Sequence, residues 1–279
     1  MRLYSLSLTP CCIREEYFVM KKFKGFALIV MLLCAVITAV PSIAAAGELT
    51  VFAAASMTES MNQIAKLYQK AAPDTKIVYN FDSSGTLKTQ IEHGAPCDLF
   101  ISAGQKQMNA IDKTHVMAGT RWNIVANQVV LVVPKGHNPK GIKDFKDVAT
   151  DKVFLIALGN SDVPVGQYSV EIYKNLKLWD KISGGHKISF ASNVKEVLAQ
   201  VAAGAVDCGI VYSTDAATAK GKVDVVATAP AGSHKPIVYP AAVLKGAKNA
   251  DEAKAFAEFL KGAEAKKVFQ SIGFAIPTK

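Results

Sequence analysis

The sequence predicts an α/β fold of two lobes, in which mixed sheets are flanked by helices and a ligand cleft lies between the lobes. Short apolar runs alternate with segments of helical periodicity along most of the chain, as in α/β proteins. This alternation occurs in two successive series, and no low-complexity tract or long flexible linker separates them. The chain has 279 residues, 50% of them hydrophobic, which is enough for a sizeable core.

The first 46 residues are predicted to be an N-terminal extension and a signal peptide that is removed. Residues 21–24 are mostly basic, residues 25–40 are apolar, and residues 44–46 end the segment with small side chains. These are the three regions of a secretory signal, in order. A membrane anchor is the alternative, but the apolar run is shorter than the roughly 20 residues that span a bilayer. We therefore expect export, with cleavage after Ala46.

The lobe boundaries follow from where the second series of strands and helices begins and ends. An uninterrupted apolar strand at residues 129–133 follows Asn127, and prolines punctuate a return segment at residues 230–240. This pattern predicts a hinge near residue 127 and a return near residue 237. The predicted bounds are residues 47–127 and 238–279 for lobe I, and residues 128–237 for lobe II.

Two further elements are predicted from periodicity. Residues 153–157 form an apolar run, which predicts a strand. Residues 251–274 carry apolar side chains at helical intervals, which predicts one amphipathic helix at the end of the chain.

The first predicted strand, residues 49–55, ends at Ser56. Glu59 follows three residues later, which is the spacing of a capping box at the start of a helix. Backbone N–H groups and the positive end of a helix dipole collect at such a turn and favour an anion. Ser56 is therefore predicted either to cap the following helix or to bind an anion.

Four other turns also join a strand end to a helix start. Ligands of open α/β sheets bind at the carboxyl ends of strands. The turns supply hydroxyl and N–H groups, and Lys195 is the one basic residue that adjoins any of them. The set therefore predicts an anion-binding cleft. The four turns contain Ser83 and Ser84, residues 163–166, Asn193 and Val194, and Tyr212.

Composition argues against several other classes of protein. The formal charge is +9, but no basic run with interleaved aromatic residues occurs, so nucleic-acid binding is not expected. No Cys-x-x-Cys pair or histidine cluster indicates a metal site. We expect Cys97 and Cys208 to be buried and unpaired, because they fall in different lobes. A secreted hydrolase that uses Ser56 or Ser84 stays an alternative, although the chain lacks a Gly-x-Ser-x-Gly motif.

Several segments resemble one family when they are taken together and in order. They are residues 50–56, 83–87, 94–103, 209–216 and 259–274. The set is similar to the periplasmic molybdate-binding proteins of ABC importers, the ModA type, and extends over essentially the whole chain after residue 46.

This resemblance implies a type II periplasmic-binding-protein fold, a periplasmic location, and binding of molybdate or tungstate with no cofactor and no catalysis. It also implies a monomer that docks on the membrane permease of an importer. The ATPase would be a separate subunit, since this chain has no Gly-x-x-x-x-Gly-Lys phosphate loop.

The resemblance also implies a ligand set in which molybdenum is held only as its oxyanion. Ser83 is the alternative to Ser84, one position away. Asp82 and Asp162 flank two of the turns and are expected to face solvent or to cap their helices. Sulfate, phosphate or a small organic anion is the alternative ligand. The implied ligands are Ser56 and Ser84 through hydroxyl and N–H groups, Val165 and Val194 through N–H groups, and Tyr212 through its hydroxyl.

Overall fold

The structure is a computed structural model that describes residues 47–219 and 221–277. The predicted signal peptide and its cleavage site lie outside the described residues. Within these two ranges, no helix combines the length and the apolar character that a membrane span requires.

Ten strands, nine helices and two short 3₁₀ turns make up the described part of the chain. The strands are β1 (Glu48–Ala54), β2 (Lys76–Asp82), β3 (Leu99–Ile101), β4 (Trp122–Ala126), β5 (Val129–Pro134), β6 (Ile156–Gly159), β7 (Ile188–Ala191), β8 (Cys208–Tyr212), β9 (Val223–Thr228) and β10 (Val238–Val243). The helices are α1 (Thr58–Ala71), α2 (Ser84–Glu92), α3 (Gln105–His115), α4 (Pro164–Asn175), α5 (Trp179–Ser183), α6 (Val194–Ala202), α7 (Ser213–Thr218), α8 (Ala250–Lys261) and α9 (Ala263–Ile272). The 3₁₀ turns are Ala55–Met57 and Asp147–Ala149.

The strands form two mixed sheets of five strands each. The first sheet has the order β2-β1-β3-β10-β4, and the second has the order β7-β6-β8-β5-β9. In the first sheet, β1 is parallel to β2 and β3, whereas β10 is antiparallel to β3 and β4. In the second sheet, β6 is parallel to β7 and β8, whereas β5 is antiparallel to β8 and β9. The predicted α/β class with mixed sheets and flanking helices is confirmed.

The chain passes between the two sheets twice. β4 ends at Ala126 in the first sheet, and β5 begins at Val129 in the second. β9 ends at Thr228 in the second sheet, and the chain returns to the first sheet at Val238.

Burial explains why several strands could be predicted as apolar runs. Every residue of β5, β6 and β8 is buried. Strands that are covered on both faces need apolar side chains at each position, so their sequence does not alternate. Cys97 and Cys208 are both free and buried, as predicted.

Two predicted elements differ from the structure. The strand predicted at residues 153–157 begins only at Ile156, because the Asp207 carboxylate accepts the N–H groups of Phe154 and Leu155 and holds them outside the ladder. The C-terminal helix is two helices, α8 and α9. They meet at Gly262, whose extended backbone (ψ 166°) ends the first helix, while its N–H donates to the Phe259 carbonyl.

Asn127 lies at the first crossing between the sheets and bonds to residues on both sides of it. Its Oδ1 accepts the N–H of Gln128 at 2.8 Å and the hydroxyl of Ser213 at 3.0 Å. Its Nδ2 donates to Thr214 Oγ1 at 2.9 Å and to the Tyr239 hydroxyl at 3.2 Å. Ser213 and Thr214 belong to α7, beside the second sheet, whereas Tyr239 belongs to β10 in the first sheet. One buried amide therefore joins the two halves of the molecule, each built on one sheet, at the crossing.

Replacing Asn127 with alanine should therefore lower the free energy of unfolding by about 1–3 kcal/mol, because buried partners lose their hydrogen bonds. Urea unfolding measures this change. Asn123→Ala is the control, since its side chain bonds only at the surface, to Gln105. Equal effects from the two variants would contradict the role assigned to Asn127.

Candidate functional site

The five predicted site residues lie where parallel strands end. Ser56 and Ser84 follow β1 and β2, whereas Val165 and Val194 follow β6 and β7, and Tyr212 ends β8. Each is almost fully buried, with exposed fractions between 0% and 4%. Buried polar side chains are unusual, so the three buried hydroxyls of this set indicate a site at these ends of the strands.

The strand ends of the two sheets face each other in close contact. Gly85, beside Ser84, lies so near the 162–165 turn that a Cβ there would overlap the carbonyl oxygen of Asp162. A Cβ on Gly104 would lie 3.3 Å from the Cβ of Pro164. The turn that carries Ser56 packs against α6, which begins at Val194. The structure therefore brings the turns of the first sheet against the turns of the second.

Ser56 does not cap a helix, so the predicted capping box is wrong. The residue lies in a 3₁₀ turn (Ala55–Met57), and α1 begins at Thr58 without a side-chain cap. Glu59 reaches instead to Lys195 on the other half of the molecule. The Ser56 hydroxyl lies 2.9 Å from the hydroxyl of Tyr239.

Tyr239 and Asn127 are site residues that the sequence interpretation missed. The Gln128 N–H fixes the orientation of the Asn127 amide, because only its oxygen can accept that proton. The amide nitrogen then donates to the Tyr239 hydroxyl, and the hydrogen bond between the Tyr239 and Ser56 hydroxyls can run in either direction. When Tyr239 is the donor, the Ser56 oxygen accepts from the protein and the Ser56 proton is free for another group.

Ser83 and Ser84 have different roles at the start of α2. Ser83 is the N-cap, since its hydroxyl accepts the N–H of Thr86 at 3.1 Å. The Ser84 hydroxyl accepts the N–H of Ala103 at 2.9 Å. Its oxygen is therefore engaged as an acceptor, and its proton is available to another group. This geometry favours Ser84 over Ser83 as a donor.

Tyr212 contributes a buried hydroxyl that has no hydrogen-bond partner among residues 47–219 and 221–277. Its ring packs edge-on against Tyr239, with 5.8 Å between the ring centroids. Burial raises the pKa of Tyr212 well above its usual value, and neighbouring Tyr239 raises it further. The hydroxyl therefore keeps its proton, and an acceptor beside it would satisfy an otherwise unpaired group.

Val165 and Val194 offer backbone N–H groups at helix starts, where no helical carbonyl is available to accept them. Pro164 occupies the first turn of α4, as predicted. Asn193 caps α6 by accepting the N–H of Glu196 at 3.1 Å, also as predicted. Gly166 lets α4 begin close to β6, since a Cβ there would overlap the carbonyl oxygen of Gly159.

The two aspartates near the turns do not point a free carboxylate at these donors. Asp162 is exposed, as expected. Asp82 is half-buried, and its carboxylate accepts the N–H of Ser83 at 2.6 Å.

The hydroxyls of Ser56 and Ser84 bond to groups other than histidine in the described part of the chain. There, His93 and His234 bond to backbone carbonyls, and His137 and His186 are exposed. Residues 47–219 and 221–277 hold no cluster of three or more potential metal ligands. The arrangement is thus a set of neutral hydrogen-bond donors, which can bind an anion without a nucleophile–base pair.

One buried carboxylate lies beside the donors. Asp215 is fully buried in α7, and burial raises its pKa to about 6 even though Lys195 Nζ lies 3.0 Å away and opposes the shift. The pKa of this carboxyl group is 3.8 in the unfolded chain and is raised in the folded protein. Such a group contributes stability that is fully present below pH 3.8. This contribution is lost as the pH rises through about 6.

As the pH rises from about 4.5 to 7.5, the free energy of unfolding of Asp215→Asn should therefore increase relative to that of the wild type, by at most about 3 kcal/mol. Urea unfolding at both pH values measures the difference. Asp224→Asn is the control, because hydrogen bonds from the Gly136 N–H and from Lys135 lower the pKa of that surface carboxyl. A difference for Asp215→Asn that stays constant with pH would contradict the prediction.

Comparison with known proteins agrees with this geometry. Residues 49–275 match the family model described as bacterial extracellular solute-binding protein. The molybdate-binding protein ModA of Haemophilus influenzae is 40% identical over 84% of this chain and 92% of the relative. ModA of Escherichia coli is 43% identical over 82% of this chain and 90% of the relative.

A solved structure shows the same fold. The periplasmic molybdate-binding protein of Azotobacter vinelandii superposes with a TM-score of 0.74 and 27% identity, over 82% of this chain and all of that one. The chain belongs to the bacterial extracellular solute-binding protein family and, within it, to the ModA group.

Proposed function

We propose that this protein captures molybdate outside the cytoplasm and delivers it to the permease of an ABC importer. The observation that carries this proposal is the hydrogen bonding of the buried hydroxyls at the strand ends. Ser84 accepts the N–H of Ala103, Ser56 can accept from Tyr239, and Tyr212 has no partner among residues 47–219 and 221–277. All three hydroxyls can therefore donate to one ligand. The relatives are named molybdate-binding proteins, which supports molybdate as that ligand.

The proposed ligands are Ser56, Ser84, Val165, Val194 and Tyr212. A buried dianion is costly unless its oxygens are fully hydrogen-bonded. Hydrogen bonds to a charged group contribute about 1.5–3 kcal/mol each, so several neutral donors can hold molybdate with no lysine or arginine in contact. The protein would bind molybdenum only as the oxyanion and would need no cofactor.

The donor set also favours fully ionised oxyanions. A phosphate that still carries a proton needs an acceptor, and the five proposed ligands offer hydroxyl and N–H donors but no carboxylate. Molybdate, tungstate and sulfate carry no such proton at neutral pH. Sulfate is the alternative ligand, and cavity size would decide between it and molybdate.

The remaining parts of the proposal follow from the family. The protein is exported, acts as a monomer, and is not an enzyme. It presents its closed, loaded form to a membrane permease whose ATPase is a separate subunit. Tungstate is a second ligand of the same site. A thermal-shift panel of molybdate, tungstate, sulfate and phosphate tests the ligand class, since an anion that binds only the folded protein raises its melting temperature.

Ser56→Ala should weaken molybdate binding by about 1–3 kcal/mol while the fold survives, because one charge-assisted hydrogen bond is lost. Titration calorimetry measures the affinity. Ser60→Ala is a matched control, since Ser60 is equally buried but donates to the Met57 carbonyl. Unchanged affinity in Ser56→Ala would remove Ser56 from the site.

Gly85→Ala should weaken molybdate binding by about 1–3 kcal/mol for a different reason, since the added Cβ would overlap Asp162 and prevent full closure. The ligand-free protein should keep its stability, because alanine is favoured within a helix. Gly246→Ala, whose Cβ would meet no atom, is the control. Calorimetry that gives both variants wild-type affinity would refute the closure requirement.

A further inference from the structure

Lys195 is the centre of an ion cluster that joins the two halves of the molecule. Its Nζ lies 2.8 and 3.0 Å from the two carboxylate oxygens of Glu59, and 3.0 Å from Oδ1 of Asp215. Glu59 belongs to α1, beside the first sheet. Lys195 and Asp215 belong to α6 and α7, beside the second sheet. The Glu59–Lys195 pair therefore crosses between the halves, whereas Lys195–Asp215 stays within one.

Each member of the cluster lies close in sequence to a proposed ligand. Glu59 follows Ser56 by three residues, Lys195 directly follows Val194, and Asp215 follows Tyr212 by three residues. One ammonium group thus connects three of the five turns.

The geometry of the three groups differs in a way that suggests an order of events. Asp215 is completely buried, and Lys195 is close enough to neutralise it within the second half. The Glu59 side chain is 38% exposed even in this closed arrangement, so it can be solvated when the halves separate. Within this ion cluster, opening would break only the Glu59–Lys195 contact, and the Lys195–Asp215 pair would stay together in the second half.

The ammonium is occupied by carboxylates and is therefore not a free cation for the ligand. Burial lowers the pKa of Lys195, but Asp215 and Glu59 together raise it above its usual value, so the side chain stays charged. Burial raises the pKa of Asp215, and Lys195 lowers it, so the ammonium favours the ionised carboxylate. It also compensates the charge of that carboxylate beside the Tyr212 and Tyr239 hydroxyls, where an uncompensated negative charge would disfavour an anion.

We propose that Lys195 is a positioning residue with two tasks: it neutralises Asp215 beside the oxyanion site, and it latches onto Glu59 when the two halves close. This inference rests on the proposed function, and it adds that the closed form is held partly by a contact that does not touch the ligand.

The test compares Glu59→Gln with the wild type, with molybdate as the probe. Glu59 is partly exposed, so the variant should fold with an unchanged melting temperature in the absence of ligand. Loss of the latch should weaken binding about two- to tenfold, mainly through faster dissociation measured by stopped-flow fluorescence. Glu92→Gln is a matched control: Glu92 is 36% exposed and pairs with Lys88 within α2, so its loss should leave binding unchanged.

A double-mutant cycle separates the latch from simple attraction of the anion to Lys195. The latch predicts that Glu59→Gln has no further effect once Lys195→Met is present. If Lys195 acts only by attracting the anion, Glu59→Gln alone should leave affinity unchanged or increase it, and that outcome would overturn the proposal. A wild type that does not bind molybdate would instead refute the proposed function. Wild-type binding with unaltered dissociation in Glu59→Gln would refute only the latch.

Discussion

A small dianion that leaves water must receive hydrogen bonds at its oxygens, and this requirement sets the direction of the bonds around the strand ends. The Gln128 N–H orients Asn127, Asn127 donates to Tyr239, and the Tyr239 hydroxyl can donate its own proton to Ser56. Ala103 does the same for Ser84 through its backbone N–H. The residues behind the site therefore present its hydroxyls as donors, and no positive side chain has to touch the guest.

The site also depends on how closely the two halves approach. Gly85 meets the 162–165 turn with no room for a side-chain carbon, and Asn127 bonds to both halves at the crossing. Ser56 and Tyr212 are buried at the ends of strands that face each other across the two sheets. Binding and closure are then one event, and contacts remote from the ligand, such as Glu59 with Lys195, add to the stability of the loaded form.

The sequence reveals the strand ends but not the network behind them. Fully buried strands leave uninterrupted apolar runs, and helix starts leave Pro164 and Asn193, so the turns were predictable from local pattern. Tyr239 pairs with Ser56 across 183 positions, and Lys195 pairs with Glu59 across 136. Local sequence periodicity does not predict pairs that are so far apart in the chain. The Ser56–Glu59 spacing misled for the same reason: Glu59 has a distant partner that outweighs a local cap.

A crystal structure of the protein with molybdate tests the central claim most directly. The account predicts one oxyanion between the halves, with its oxygens within hydrogen-bond distance of the Ser56, Ser84 and Tyr212 hydroxyls and the Val165 and Val194 N–H groups. Molybdate held by the ammonium of Lys195 or by another basic side chain, or bound away from these strand ends, would contradict it.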